Sequence, residues 1–219
     1  MMVKPRTTAL LSVLALLAGL LGGLLLSLFL PDRLLDPAAL TGAATSTSAG
    51  TNAETGNVSL VTRAMSTLTA IQNRDYAALS AQIDPERGVT FTPLATVDPT
   101  SNLTFSAEEI AAAGRSEQTY VWGTTTDTAE PISLTIDGYF DTYVWDVDYT
   151  TASQINVDRV QASGNALENV AEAYPDCRFV EFYSAGVREP TDWQALKLVY
   201  RWTNGNWYLV GVIHSTWTA

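Results

Sequence analysis

The most regular hydrophobic pattern in the chain lies in two runs on either side of Asn204-Gly205. Both runs are rich in β-branched and aromatic residues, and Asn-Gly is typical of a two-residue type I′ turn. The pattern therefore predicts a long β-hairpin over residues 196–217. Because a two-residue turn fixes the register, we expect Trp202 opposite Trp207, and Leu198 opposite Gly211.

This register sorts the hairpin residues into two faces. The face that includes Trp202 and Trp207 is entirely apolar, so we expect it to be buried. The opposite face carries Lys197, Arg201 and His214, with His214 opposite an alanine at position 195. We expect this mixed face to be half-solvated or to line a wet surface.

Upstream of the hairpin, apolar residues recur first at the spacing of helices. Residues 58–72 predict an amphipathic helix, and Asp75 is placed to cap a short second helix. Ser106 and Glu109 have the spacing of a capping box at the start of a further helix, and residues 136–147 predict another that is rich in aromatics. Shorter β-rich runs predict strands at 89–92, 119–124, 155–160 and 178–183, and residues 166–173 predict a helical turn. The chain therefore combines helices and strands in one α+β domain.

The N-terminal segment has the pattern of a membrane anchor. Residues 8–30 are uncharged and long enough to cross a bilayer as a helix, and they follow Lys4 and Arg6. The two basic residues place a short N-terminus, residues 1–7, in the cytoplasm and the rest of the chain outside. We expect an uncleaved transmembrane signal anchor, with a cleaved signal peptide as the alternative.

The next segment, residues 31–57, is rich in Ala, Thr, Ser and Gly and has few large apolar residues. This composition predicts a flexible linker between the anchor and an extracytoplasmic domain over residues 58–219. The predicted location of the protein is therefore the cell membrane, as a single-pass protein with its C-terminal domain outside the cytoplasm.

The charge balance narrows the set of partners. The 219 residues carry a net charge of −11, and this excess falls on the domain because the charges of anchor and linker cancel. Such an acidic surface argues against binding to nucleic acid. Cys177 is the single cysteine, so the chain has no internal disulfide and must be stabilised by burial of its core.

Both ends of the domain resemble the nuclear transport factor 2-like superfamily. The matching residues are Asp75 to Leu79, Asp84, Gly88, Val89, Phe91, Gly205, Trp207, Val210, His214 and Trp217. The resemblance implies N-terminal helices packed on a strongly bent antiparallel sheet, a cone-like fold with a pocket at its open end. The whole domain is also similar to exported, membrane-anchored bacterial proteins without an assigned activity.

The resemblance does not select a function. The superfamily includes isomerases, dehydratases, cyclases and non-catalytic binding or assembly domains, and its members are often dimeric, so a homodimer is one expectation. No catalytic motif of an enzyme branch, such as the paired acids of the ketosteroid isomerases, can be matched in this chain. Fold alone therefore leaves the activity open.

Few residues are candidates for catalysis. His214 is the single histidine, and a general base of this kind needs a carboxylate to orient it. No such carboxylate can be assigned from the sequence. If the protein is an enzyme, we expect His214 to act as donor with Asp84, Asp141 or Glu181 as the base.

Metal and thiol chemistry have weaker support. The acidic group at Asp141, Asp146 and Asp148 lacks the glycine and the distal glutamate of a calcium loop, and no zinc pattern exists. Cys177 lies between Asp176 and Arg178 with no base at hand, which is typical of an inert thiol. We therefore expect no metal and no cofactor.

Aromatic residues are concentrated between positions 120 and 217. Most of them are expected in the core, because aromatic side chains dominate core burial. Trp145, Trp193 and Trp217 lie near element ends, where a cleft mouth would form, and are the candidates for binding a ligand or partner.

These patterns favour a membrane-anchored, extracytoplasmic binding or assembly module of the bacterial cell envelope without catalysis of its own. Its partner is expected to be an unknown envelope protein or a small ligand. The alternative is a small-molecule enzyme of the isomerase, dehydratase or hydrolase type that works in the pocket of the cone.

Overall fold

A computed structural model describes the backbone of residues 40–217 and the side chains of residues 54–217. The predicted transmembrane segment, residues 8–30, lies outside this range, and among the described residues no helix is long and apolar enough to cross a membrane. The anchor therefore stays a prediction. Ala53–Ala219 forms one compact unit.

Five α-helices carry most of the helical structure in the described residues. They are α1 Leu40–Gln72, α2 Tyr76–Ser80, α3 Ala107–Ala112, α4 Ile136–Tyr139 and α5 Val170–Ala173, with 3₁₀ turns at Ala113–Arg115 and Tyr149–Thr151 and a π-helical turn at Phe140–Val144. Asp75 caps α2, and Ser106 and Glu109 form the predicted capping box of α3. Helix α1 begins inside the segment predicted as a flexible linker; that residues 31–57 act as a linker stays a prediction.

Within the part of the chain that the structure describes, eight strands form two sheets. The strands are β1 Val89–Thr92, β2 Leu103–Phe105, β3 Thr119–Thr124, β4 Pro131–Thr135, β5 Gln154–Val157, β6 Arg178–Ser184, β7 Gln194–Thr203 and β8 Asn206–Thr216. The main sheet has the order β2-β1-β8-β7-β6-β5, and β3 pairs with β4 separately. Strands β1 and β8 run parallel, so the curved sheet is mixed. The sheet was expected to be antiparallel.

The turn of the β7–β8 hairpin has the predicted geometry. Asn204 and Gly205 have φ values of 51° and 76°, as a type I′ turn requires. The predicted register holds from the turn as far as Tyr200 opposite Leu209. Beyond that pair, Val210 is an extra residue on β8, and the strand contains a β-bulge.

The bulge shifts every later pair by one residue. Leu198 lies opposite Val212, and His214 lies opposite Leu196. The predicted pairing of Leu198 with Gly211 is therefore wrong, as is that of His214 with the alanine at position 195. Because opposite residues of antiparallel strands share a face, His214 joins the face of Leu196 and not that of Lys197.

The main sheet is covered on both faces. Its inner face, with Leu198, Tyr200 and Leu209, packs in one apolar core with Leu60 and Leu68 of α1. Its outer face forms a second core with side chains from residues 158–177, here called the covering segment. The buried members of this second core are Val97, Val170, Phe179, Val199, Val210 and Ile213. The prediction that the outer face is half-solvated is therefore wrong.

Candidate functional site

The space between the inner face and the helices is filled by aromatic rings. Less than 2% of each ring residue is exposed in a set that comprises Phe91, Trp122, Tyr139, Phe140, Tyr149, Phe182 and Tyr200. Trp122 stacks on Tyr139 with ring centroids 3.8 Å apart, and its indole N–H donates to the carbonyl oxygen of Leu134 at 2.9 Å.

His214 lies at the edge of this aromatic core with two fixed partners. Its Nε2 is 3.1 Å from Asp146 Oδ2, and its Nδ1 is 3.1 Å from the carbonyl oxygen of Pro93. The hydroxyl of Tyr149 donates to the other carboxylate oxygen of Asp146 at 2.8 Å. Asp146 therefore supplies the orienting carboxylate that could not be assigned from the sequence, since 68 positions separate it from His214.

This arrangement suits a structural role better than general-base chemistry. Burial raises the pKa of Asp146, but hydrogen bonds from His214 and Tyr149 outweigh it and hold the pKa below its ordinary value. Each ring nitrogen of His214 lies within hydrogen-bond distance of an acceptor, the carboxylate of Asp146 or the carbonyl oxygen of Pro93. With 5% of its surface exposed, His214 has no free nitrogen to offer a substrate.

Asp84, a predicted catalytic acid, holds a turn. One of its carboxylate oxygens accepts from the backbone N–H groups of Glu86 and Arg87 at 2.9 and 3.0 Å. The other lies 2.8 Å from Nε of Arg201 on β7. Gly88 completes this turn with a φ of 69° and donates its N–H to the carbonyl oxygen of Asp84. Asp84 thus ties the start of β1 to the hairpin.

The other two predicted acids also lie apart from His214. Asp141 has an exposed side chain paired with Arg74. Glu181 is fully buried, but it belongs to the outer face of the sheet, since it lies opposite Lys197. The structure does not bring the three predicted acids together with the histidine.

Glu181 belongs to a buried polar cluster beneath the covering segment. Its Oε2 accepts from the side-chain amide of Asn156 at 3.0 Å, and burial raises its pKa. Lys197 is fully buried next to it, with Nζ 2.6 Å from Ser215 Oγ and 2.7 Å from Oε2 of Glu168. Because Glu168 comes from the covering segment, the ion pair fastens this segment to the sheet.

Cys177 is an unpromising nucleophile. Burial and the adjacent carboxylate of Asp176 raise the pKa of its thiol to about 12. A thiol with so high a pKa is protonated at neutral pH and reacts slowly.

The three predicted binding tryptophans have different environments. Trp217 is 43% exposed, whereas Trp193 is 4% exposed and packs beside Tyr183. Trp145 is partly buried, with its ring centroid 6.0 Å from that of Tyr149. A surface role is therefore open to Trp217 and in part to Trp145, and their binding roles stay predictions.

A different pair of tryptophans forms the most prominent aromatic surface of the domain. Trp202 and Trp207 face each other next to the hairpin turn, with ring centroids 4.8 Å apart. Trp202 is 53% exposed, so the prediction that this pair is buried is wrong. Trp207 is partly buried and packs against the apolar core, so the exposed face of the pair is mainly that of Trp202.

These rings form one wall of a cleft with a volume of about 450 Å³, here called the hairpin cleft. The opposite wall is a polar stripe on α1. The cleft is lined by Ser59, Thr62, Arg63, Ser66, Trp202, Gly205, Asn206 and Trp207. The indole N–H of Trp207 donates to Ser59 Oγ at 3.1 Å and fixes the tip of the hairpin against the helix. The cleft is the open, partly apolar concavity that ligand sites prefer.

Comparison with known proteins gives no assignment at the level of sequence. No family model matches the chain, and no curated protein matches it significantly. The chain therefore has no relative here from which a residue role could be taken.

Solved structures with similar folds were found at low identity. A candidate dehydratase of the nuclear transport factor 2-like family from Streptomyces avermitilis is 12% identical, with 76% of this chain and 99% of that chain covered and a TM-score of 0.39. Aln2 from a Streptomyces species is 10% identical over 73% and 89% of the two chains, with a TM-score of 0.35.

A third similar structure is the CamKII hub homology domain of Chlamydamonas reinhardtii. It is 13% identical over 74% of this chain and 99% of that chain, with a TM-score of 0.36. The described architecture is α+β, with helices and a curved mixed sheet. At these TM-scores no activity is transferred from any of the three.

Proposed function

We propose that this protein is a non-catalytic binding module of the bacterial cell envelope, held at the membrane by residues 8–30, and that it binds through the hairpin cleft. The observation that carries the proposal is the exposed ring of Trp202 beside the partly buried Trp207. Tryptophan presents a large apolar face with a polar N–H, and it is enriched among residues that dominate binding energy.

The packing of the domain favours binding over catalysis. An enzyme of the cone type needs an acid or base that reaches into a space for substrate. Here aromatic rings fill the interior, and both nitrogens of His214 are engaged. The hairpin cleft is open, but the described residues that line it include no carboxylate, histidine or cysteine.

The enzyme alternative keeps one observation in its favour, which is the Asp146–His214 pair. Such a pair is the usual means of orienting an imidazole for proton transfer. If this pair is catalytic, His214→Ala should abolish a turnover that Trp202→Ala leaves intact.

The binding proposal can be tested with the full-length protein in bacterial membranes. After crosslinking and solubilisation, the wild type should retain an envelope component that Trp202→Ala retains at least about tenfold less, because aromatic hot spots contribute about 2 kcal/mol or more. Val121→Ala is the control, since Val121 is a similarly exposed apolar residue outside the cleft. Equal retention by the wild type and Trp202→Ala, with unchanged melting, would contradict the proposal.

A further inference from the structure

We infer that the hairpin cleft binds a carbohydrate with one acidic group, with a pyranose ring on the indole of Trp202 and the acidic group on Arg63. This inference rests on the proposed function and specifies its ligand. It follows from the different chemistry of the two cleft walls, from the unpaired donors between them and from the charge of the chain.

The first wall is an aromatic surface that is already fixed in place. Trp207 is held by its hydrogen bond to Ser59, and the ring of Trp202 is inclined at 60° to that of Trp207. More than half of Trp202 is exposed, so its ring can cover an apolar ligand surface. A pyranose offers such a surface, because its axial C–H groups form a flat apolar patch.

The second wall is a row of short polar side chains on one side of α1. Ser59, Thr62 and Ser66 follow each other at intervals of three and four residues, which places them on one helix face. A polyproline peptide needs a groove with aromatic walls on both sides. A cleft with one aromatic wall and one hydroxyl-bearing wall instead matches a sugar, whose ring face is apolar and whose edge carries hydroxyl groups.

The unpaired groups in the cleft are mainly donors. Among the described residues, the indole N–H of Trp202, the hydroxyl of Ser66 and the guanidinium of Arg63 have no hydrogen-bond or ion-pair partner. Donors that converge on a cleft require acceptors from the ligand. Hydroxyl and carboxylate oxygens are such acceptors, and a guanidinium binds a carboxylate with particular strength.

Charge and size limit the ligand further. The net charge of −11 repels polyanions, so a ligand with a single acidic group is favoured over a highly charged polymer. The volume of about 450 Å³ lies in the range of about 300–1,000 Å³ that is usual for small-ligand sites. The cleft therefore accommodates one or two sugar residues.

The test uses the full-length protein in micelles of a detergent without a sugar headgroup. Four probes are titrated by calorimetry and by the fluorescence of tryptophan: N-acetylmuramic acid and glucuronic acid as acidic sugars, and N-acetylglucosamine and glucose as their neutral counterparts. We expect the acidic sugars to bind about tenfold more tightly, as one charge-assisted hydrogen bond provides.

Four variants locate the binding. Arg63→Gln should remove the preference for acidic sugars but leave binding of the neutral ones. Trp202→Ala should weaken all four by at least about tenfold, and Val121→Ala, at an exposed apolar residue outside the cleft, should weaken none. Melting curves of each variant show whether the fold is kept, and Trp202→Phe, which retains an aromatic face, should restore part of the affinity.

The possible outcomes separate this inference from the proposed function. If no sugar binds but an envelope protein or peptide is captured through Trp202, the carbohydrate inference fails and the proposed function holds. If acidic and neutral sugars bind equally and Arg63→Gln has no effect, the assignment of Arg63 fails. If neither sugar nor envelope component depends on Trp202, both proposals fail.

Discussion

The bulge at Val210 divides the β7–β8 hairpin into two halves. The halves differ in which side chains they expose and which they bury. In the half near the turn, Trp202 is largely exposed and lines an open cleft. In the half beyond the bulge, Lys197 and His214 are polar residues that the structure buries. The half near the turn, here called the tip, exposes an apolar ring to solvent. The half beyond the bulge, here called the base, buries polar side chains.

This difference shows that hydrophobicity of a residue does not by itself decide its burial in this hairpin. The tip carries the exposed Trp202, and its register follows from the two-residue turn. The base is enclosed by α1 on one face and by the covering segment on the other, and its polar groups are buried because each finds a partner. Three sets of substitutions test this contrast, in order from the largest expected effect on stability to the smallest.

Removal of the buried cation should have the largest effect on stability. Lys197→Ala leaves the carboxylates of Glu168 and Glu181 without their positive neighbour, and loss of one partner of a buried ion pair costs about 3–5 kcal/mol. We expect a clearly lower denaturation midpoint for the full-length protein in urea. Arg188→Ala removes an equal charge from an exposed position and should cost less than about 0.5 kcal/mol. Similar midpoints for the two variants would show that the base is not sealed.

Two glycines provide a matched comparison of tip and base. At Gly211, an added Cβ would lie 2.8 Å from the hydroxyl of Tyr174, so Gly211→Ala should cost about 1–3 kcal/mol through overpacking. At Gly205 the added Cβ would meet open space, but the φ of 76° disfavours alanine by about 1–2 kcal/mol.

A second substitution separates these two causes. Tyr174→Ala removes the ring that an alanine at position 211 would meet, so it should relieve much of the cost of Gly211→Ala. It should not change the cost of Gly205→Ala. Double-mutant cycles of thermal or urea unfolding measure the coupling. Coupling of Tyr174 to both glycines would argue against independent tip and base.

The smallest expected effect is a dependence of stability on pH at Glu181. Burial raises the pKa of this carboxyl in the folded protein, so the unfolded chain loses its proton first as the pH rises. Glu181 therefore destabilises the fold progressively between its unfolded pKa and its higher folded pKa. Glu181→Gln should match the wild type at the acidic end of this window and become more stable than the wild type above it.

The control for this measurement is Glu172→Gln, which removes the same charge from an exposed position. Its stability should follow that of the wild type over the same pH range. A Glu181→Gln curve that runs parallel to the wild type would show that this carboxyl is not sealed from solvent in the native state.

Local signals in the sequence were sufficient for most elements of the fold. The capping box at Ser106, the cap at Asp75 and the turn at Asn204-Gly205 depend on residues close in sequence, and all three are confirmed. Strands β2 and β4 were not predicted. The first is three residues long and the second begins with a proline, so neither shows a clear alternation.

The parts of the site that were missed depend on distant contacts. Gly211 is a local signal, because a glycine inside a strand pattern often marks a bulge, but it does not show that Val210 beside it is the extra residue. The error in register placed His214 on the wrong face and concealed its pairing with Asp146. The polar stripe on α1 becomes visible as a cleft wall only when the hairpin is placed against the helix.

The parallel pairing of β1 with β8 has a consequence for how the chain reaches its native state during synthesis. Phe91 pairs with Val212, so the first strand must wait for a partner that leaves the ribosome about 120 residues later. Until then the edge of β1 that pairs with β8 stays unpaired. Contacts between residues so distant along the chain form slowly. If residues 8–30 direct export, this delay would keep the chain unfolded while it crosses the membrane, and the main sheet would close only on the far side.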